Sequence, residues 1–139
     1  MNVAFFLTPK TEIIWLSVEN TVREAIEVLD KSQYTAVPLL NRAGGYVGAV
    51  SEGDLLRELV DCKDYSLRGT MHVRLADVAI RAEVTPVGID AQVEELFDRA
   101  THQNFVPVVD SRGVFIGIVR RREILRHYTG TLTKAAPPH

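Results

Sequence analysis

The sequence predicts an α+β fold: two β-α-β-β-α repeats packed sheet to sheet with pseudo-two-fold symmetry. The main observation is an internal copy. Val37-Pro38-Leu39, Val47-Gly48-Ala49-Val50 and Leu55-Leu56-Arg57 return as Val106-Pro107-Val108, Ile116-Gly117-Ile118-Val119 and Ile124-Leu125-Arg126, at one constant offset and without a gap. Each copy also holds two alternating apolar runs around a turn, the pattern of a hairpin, and is preceded by an apolar stripe of helical period. A repeat of about 60 residues buries too little apolar surface to stand alone, so the copies should share a core and create two equivalent clefts.

Taken in order, residues 3–10 (Val-Ala-Phe-Phe-Leu-Thr-Pro-Lys) open with an apolar patch. Pro9 biases Thr8 away from helix, so a short helical turn should end there. Ile13-Ile14-Trp15-Leu16 reads as a short buried strand. Thr21-Val-Arg-Glu24 has capping-box spacing, and Val22, Ala25, Ile26 and Leu29 fall on one helix face. Residues 35–40 should form a strand, Asn41-Arg-Ala-Gly-Gly45 a turn, residues 46–50 the returning strand and residues 54–60 a helix. Residues 61–74 lack a sustained period and read as a linker between repeat 1 (residues 1–60) and repeat 2 (residues 75–128).

The second copy follows the same plan. A lead-in turn is expected at residues 75–78 and a strand at residues 84–87, where Pro86 limits the ladder to an edge or an end. Asp90 is placed to cap a helix carrying Val93, Leu96, Phe97 and Ala100. The connection from that helix to its hairpin is two residues shorter than in the first copy. Strands at residues 105–109 and 114–119 make the second hairpin, with a last helix at residues 123–128. Residues 129–139, ending Ala-Ala-Pro-Pro-His, read as a disordered tail.

Bulk properties exclude several classes. A net charge of −2 provides no global field for nucleic acid or a membrane surface, and no 18-residue apolar stretch occurs. The single Cys62 rules out an internal disulfide and gives no metal-ligand spacing. The four histidines, 72, 102, 127 and 139, have no nucleophile or carboxylate at a motif spacing. A cytoplasmic, non-catalytic protein without a bound metal or obligatory cofactor is expected.

Two junctions between a hairpin and its following helix carry the most chemistry. In Gly48-Ala-Val-Ser-Glu-Gly-Asp54, the Ser51 hydroxyl and the helix N–H groups can bond a phosphate, and the Asp54 carboxylate can accept from two ribose hydroxyls. The same residues also read as a capping box that merely starts a helix. In Gly117-Ile-Val-Arg-Arg-Arg-Glu123, three arginines oppose the positive end of the helix dipole. That cluster is either a solvated basic patch or a phosphate clamp. Tyr34, Phe105 and Trp15 read as core residues, and Tyr34 could also stack on a base.

The repeated Pro before a Gly turn, with Val-Gly-Ala/Ile-Val before Ser-x-x-Asp, resembles tandem CBS domains, the Bateman module. The lead-in Phe6-Leu-Thr-Pro-Lys10 resembles that family's opening segment. The resemblance covers residues 3–128 and is to the stand-alone bacterial type. It implies adenine-nucleotide clefts that combine the strand start of one copy with the helix start of the other. Carried over by position, one cleft uses Ile13, Ile14, Tyr34, Thr35 and Ala36 with Arg120, Arg121, Arg122 and Glu123. The other uses Val84, Thr85, Asn104, Phe105 and Val106 with Ser51 and Asp54. Arg120 and Glu123 depart from the ribose pattern, whereas Tyr-Thr-Ala and Arg121-Arg122 are similar to CBS proteins that bind cyclic di-AMP.

The resulting expectation is a regulatory sensor. It binds cyclic di-AMP, ATP, ADP or AMP as a regulatory ligand and signals to a partner protein. It forms a homodimer through helix faces bearing Leu55, Leu56, Leu59, Ile124 and Leu125. The rival expectation is a structural or protein-interaction module with vestigial clefts.

Overall fold

The first helix starts where its spacing demands. The Thr21 hydroxyl accepts from the Glu24 N–H at 3.2 Å and Glu24 Oε1 accepts from the Thr21 N–H at 2.8 Å, which closes the capping box. In this computed structural model, which describes residues 1–61, 72–81 and 83–135, helix α1 runs over Val22–Ser32. Cys62, most of the expected linker (residues 62–71) and the last four residues (136–139) lie outside the described residues.

The chain divides into two compact units, residues 14–84 and residues 1–13 with 85–139. In the first, β2 (Leu16–Ser17) lies parallel to β3 (Ala36–Leu40), which pairs antiparallel with β4 (Tyr46–Ser51) in the order β2-β3-β4. Helix α2 (Glu52–Asp61) follows β4 directly. Val37 and Leu39 share a face with Val50, which stands opposite Val37, because side chains alternate along a strand. That face forms a core with Ala25 and Leu29 of α1 and Leu55 of α2.

The second unit repeats the plan and adds a strand. β1 (Thr8–Pro9), β5 (Val87–Gly88), β6 (Phe105–Val109) and β7 (Phe115–Arg120) form a sheet in the order β1-β7-β6-β5. Helices α3 (Val93–His102) and α4 (Arg121–Ala135) contribute Leu96 and Ile124 to a core with Val106, Val108 and Val119.

The lead-in segments do not stay with their own repeats: the compact units are drawn differently from the expected repeats, residues 1–60 and 75–128. Val3 and Phe6 belong to the core of the second copy, and β1 pairs with β7. The turn Leu75–Asp77 joins the first copy, where the Leu75 and Ala76 N–H groups donate to the carbonyls of Asn20 (2.8 Å) and Val18 (3.0 Å). Backbone groups with no partner in their own repeat are satisfied in the other one.

Four local expectations are also corrected. Of the run at residues 13–16 only Leu16 is strand and buried. Ile14 and Trp15 are 38% and 39% exposed, because the ladder to β3 begins at Leu16. The second copy's first strand is Val87–Gly88, after Pro86 rather than through it. Asp90 does not cap α3: Gln92 is the N-cap, with no side-chain bond, and the Ala91 N–H closes a turn onto the Gly88 carbonyl. Finally, α4 continues to Ala135 across residues expected to be a disordered tail. Extending an existing helix adds one bond per ordered residue, so it proceeds without an apolar stripe.

Candidate functional site

In the unit of residues 14–84, Ser51 and Asp54 form a complete reciprocal cap. Asp54 Oδ2 accepts from the Ser51 N–H (3.0 Å) and hydroxyl (2.9 Å), and Ser51 Oγ accepts from the Asp54 N–H (3.2 Å). The other carboxylate oxygen accepts from Arg57 Nη2 and from the Arg81 N–H at 3.2 Å. Asp54 is only 1% exposed, so its charge is buried and matched within the protein. A ribose could bond this carboxylate only by displacing one of those donors.

The start of β3 adjoins this cap. Ala36 stands opposite Ser51, and the Glu52 N–H donates to the Thr35 carbonyl at 3.0 Å. Tyr34 is not a core residue: it is 44% exposed and lines a groove of about 330 Å³ between α1 and α2.

The matching junction of the other unit has opposite chemistry. Phe105 stands opposite Arg120, and the Arg121 N–H donates to the Asn104 carbonyl at 3.0 Å. The Arg121 side chain is a tie within the unit. Its Nε donates to the Ala100 carbonyl in the last turn of α3 (2.7 Å), and its Nη1 to Asn104 Oδ1 (3.2 Å). A cation at a helix C-terminus is well placed against the dipole. Arg120 Nη1 donates to the Thr8 hydroxyl at 3.4 Å, and Glu123 pairs with Arg126 at 3.4 Å. Arg122 is exposed and has no hydrogen-bond or ion-pair partner among the described residues.

The structure therefore brings Thr35 and Ala36 together with their own Ser51 and Glu52, and Asn104 and Phe105 with their own Arg120 and Arg121. The lead-in pairs fall on the division: Ile13 and Thr85 belong to one unit, Ile14 and Val84 to the other. The Val84 carbonyl accepts from the Tyr46 hydroxyl at 2.5 Å, and burial pushes the Tyr46 phenol well above its usual range. Val106 is buried in the core, facing α3.

One residue escaped the sequence reading. Gln103, 8% exposed, accepts at Oε1 from the Thr85 N–H (2.9 Å) and hydroxyl (3.0 Å). Its Nε2 donates to the carbonyls of Thr85 (3.1 Å) and Phe105 (3.2 Å), which fixes the lead-in to the start of β6. Its signal was the shorter helix-to-strand connection, which leaves Gln103 extended at φ −125° where Gln33 ends α1 in the left-handed region at φ 64°. Among the described residues there is no cluster of three or more potential metal ligands and no helix long and apolar enough to cross a membrane.

The fold and its two junctions define a tandem β-α-β-β-α protein with one carboxylate-capped and one arginine-bearing helix start. The family model for the CBS domain matches residues 6–61 and 75–130, and the chain belongs to that family. It is similar to cyclic di-AMP receptor B of Bacillus subtilis, 22% identical over 125 residues, covering 90% of this chain and 84% of that protein. A crystal structure of a CBS domain protein from Streptococcus pneumoniae superposes with a TM-score of 0.81 at 26% identity, covering 93% of this chain and 87% of that one. CbpB in complex with cyclic di-AMP superposes at 0.85 with 18% identity, covering 96% and 88%. The chain spans 34% and 35% of the length of two further relatives, from Methanocaldococcus jannaschii and Chlamydia muridarum.

Proposed function

We propose that this CBS-domain protein is a non-catalytic cytoplasmic sensor that binds an adenine nucleotide, with cyclic di-AMP the favoured ligand, and signals to a partner protein as a homodimer. The observation that carries the reading is the replacement of Ser51-x-x-Asp54 by Arg120-Arg-Arg-Glu123 at the matching helix start, with Arg122 exposed. No side chain among the described residues accepts from the N–H groups of Arg122 or Glu123. An anion there would satisfy those donors and offset the arginine charges at once. The naming of a full-length relative as a cyclic di-AMP receptor supports the choice of ligand. Phosphates would lie against Arg120, Arg122 and the α4 start, and the strand starts at Thr35-Ala36 and Asn104-Phe105 would flank the bases. Tyr34, Ile13, Ile14, Val84 and Thr85 would complete the two sites.

Calorimetry with cyclic di-AMP, ATP, ADP and AMP tests this. Arg122→Ala should weaken binding of the preferred ligand about tenfold, the loss of one charge-assisted contact. Arg121→Ala should instead lower the melting temperature, because it unties α4 from α3.

A second reading, a protein-interaction module with vestigial clefts, is favoured by the fully engaged Asp54. It predicts no thermal shift with any nucleotide, whereas a ligand at 100 times its Kd should add about 2.7 kcal/mol of stability.

A further inference from the structure

At the start of β6 the protein holds a planar hydrogen-bonding group of its own. Pro86 has no N–H, and the parallel ladder to β6 begins only at Val87, so Thr85 lies outside it. The buried Gln103 carboxamide takes the place of that missing pairing. Its oxygen accepts from the Thr85 N–H (2.9 Å) and its nitrogen donates to the Thr85 carbonyl (3.1 Å), so one edge of the amide pairs with both backbone groups of a single residue. The Thr85 hydroxyl (3.0 Å) and the Phe105 carbonyl (3.2 Å) take the remaining acceptor and donor positions.

An acceptor beside a donor on one planar edge is also the Watson–Crick face of adenine, where a ring nitrogen accepts and the exocyclic amino group donates. Gln103 therefore gives Thr85 the pair of contacts that an adenine would give it. Half-buried Phe105 stands next to this edge, an aromatic ring of the kind on which bases stack, and Thr85 itself is exposed. The first copy is built without such an arm. Ile14 stands where Thr85 does by the internal repeat, and no side chain bonds its backbone among the described residues. Gln33 ends α1 in the left-handed region, and its Nε2 donates back to the Asp30 carbonyl at 2.9 Å. One lead-in thus reaches its sheet with no side-chain tie, so the plan common to both copies does not demand one.

We propose that Gln103 is a specificity-determining residue of the nucleotide site: its carboxamide is an internal competitor for adenine at Thr85, and the second copy reads a base edge only when Gln103 swings out. This rests on the adenine-nucleotide reading above, in which a base lies against Asn104 and Phe105, and it names the group that the base must displace.

Calorimetry of the full-length chain with AMP and with purine riboside monophosphate, which lacks the exocyclic amino donor, tests it. Gln103→Ala should tighten AMP binding about tenfold, because the two bonds to Thr85 are no longer contested, and should tighten the analogue no more than about threefold. Gln103→Asn shortens the arm by one carbon while keeping an amide, and should give a smaller gain for AMP; it carries the test if Gln103→Ala does not fold. Melting curves separate this role from a merely structural tie: both variants should lose stability without ligand and gain more from saturating AMP than the unmodified chain does. Unchanged or weaker AMP affinity in both variants, or an equal gain for the two nucleotides, would overturn the proposal and leave the nucleotide reading standing. No binding of AMP or cyclic di-AMP by the unmodified chain or either variant would overturn both.

Discussion

The two helix starts show how one backbone plan carries opposite electrostatics. At α2, Ser51 and Asp54 satisfy the free N–H groups from within, and the carboxylate is buried with Arg57 against it. At α4 the same two positions hold Arg120 and Glu123, and Glu123 turns outward to Arg126. The first junction is internally complete. The second places cations where the helix dipole disfavours them, by about 0.3–1 kcal/mol each when exposed, a cost that an anion or a distant acceptor offsets. Arg121 finds such acceptors at Ala100 and Asn104, which leaves Arg120 and Arg122 nearest the helix start. On the proposed reading, binding chemistry belongs at the incomplete junction and fold stability at the complete one.

Matched substitutions in the two copies can break or sharpen that contrast. The largest effect is expected at the paired glycines. A Cβ on Gly117 would lie 2.8 Å from Leu7 Cδ1 and 3.1 Å from Pro9 Cα, and closer still to the Thr8 carbonyl oxygen. At Gly48 it would meet only Ile80 Cγ2 at 3.8 Å. Gly117→Ala should cost about 3 kcal/mol in denaturant unfolding, because β1 is backbone and has no rotamer to move aside, whereas Gly48→Ala should cost less than about 1 kcal/mol. Equal losses would mean that β1 does not hold against β7.

Next come the acidic residues at the helix starts. Asp54→Asn replaces one acceptor oxygen by an amide NH₂ facing donors that have no other buried partner, at a cost of about 2 kcal/mol. Glu123→Gln removes only an exposed pair and should change stability by no more than about 0.5 kcal/mol. Chemical denaturation of the two variants measures the difference directly.

The smallest effect concerns pH. In the first hairpin turn Asn41 Oδ1 accepts from the N–H groups of Ala43 (3.0 Å) and Gly45 (2.8 Å). In the second, Asp110 Oδ1 accepts from Arg112 (2.8 Å) and Val114 (3.0 Å). Those backbone N–H groups, with Val114 the larger influence, hold the Asp110 carboxyl below its usual value of 3.8. A carboxyl with a lowered folded pKa adds stability that is present above its usual value and lost as pH falls through the lowered one. Asp110→Asn should therefore flatten the acid limb of the melting temperature between about pH 5 and about pH 2. Asn41→Asp should steepen it.

Much of the first copy was readable because its determinants are local. The Thr21–Glu24 box, the α1 stripe and the Asn41-to-Gly45 turn each depend on residues within five positions of one another, and each formed as expected. Harder to read were bonds between distant residues. Nothing near Thr8 announces that it pairs with Ile118, and nothing near Thr85 that Gln103 will hold it. The same limit applies at the candidate site. Residue types at the junctions were legible, but whether Arg121 faces a ligand or a carbonyl depends on where α3 ends. Leu55 and Ile124, expected on open helix faces, are 3% and 7% exposed core residues, and the exposed pair is Leu56 and Leu125. A helix period identifies a stripe without saying which edge of it meets the sheet.

The exchange of lead-in segments has a consequence for how the protein is made. The unit of residues 14–84 is continuous, so a ribosome delivers all of it before the second copy is finished. Residues 1–13 are made before that unit, yet β7, the strand they pair with, is made after it. That segment must wait, with Val3 and Phe6 uncovered, until β7 has been made. Closure of the second unit is therefore expected to be slower than folding of the first, because long loops must close before their contacts repay them.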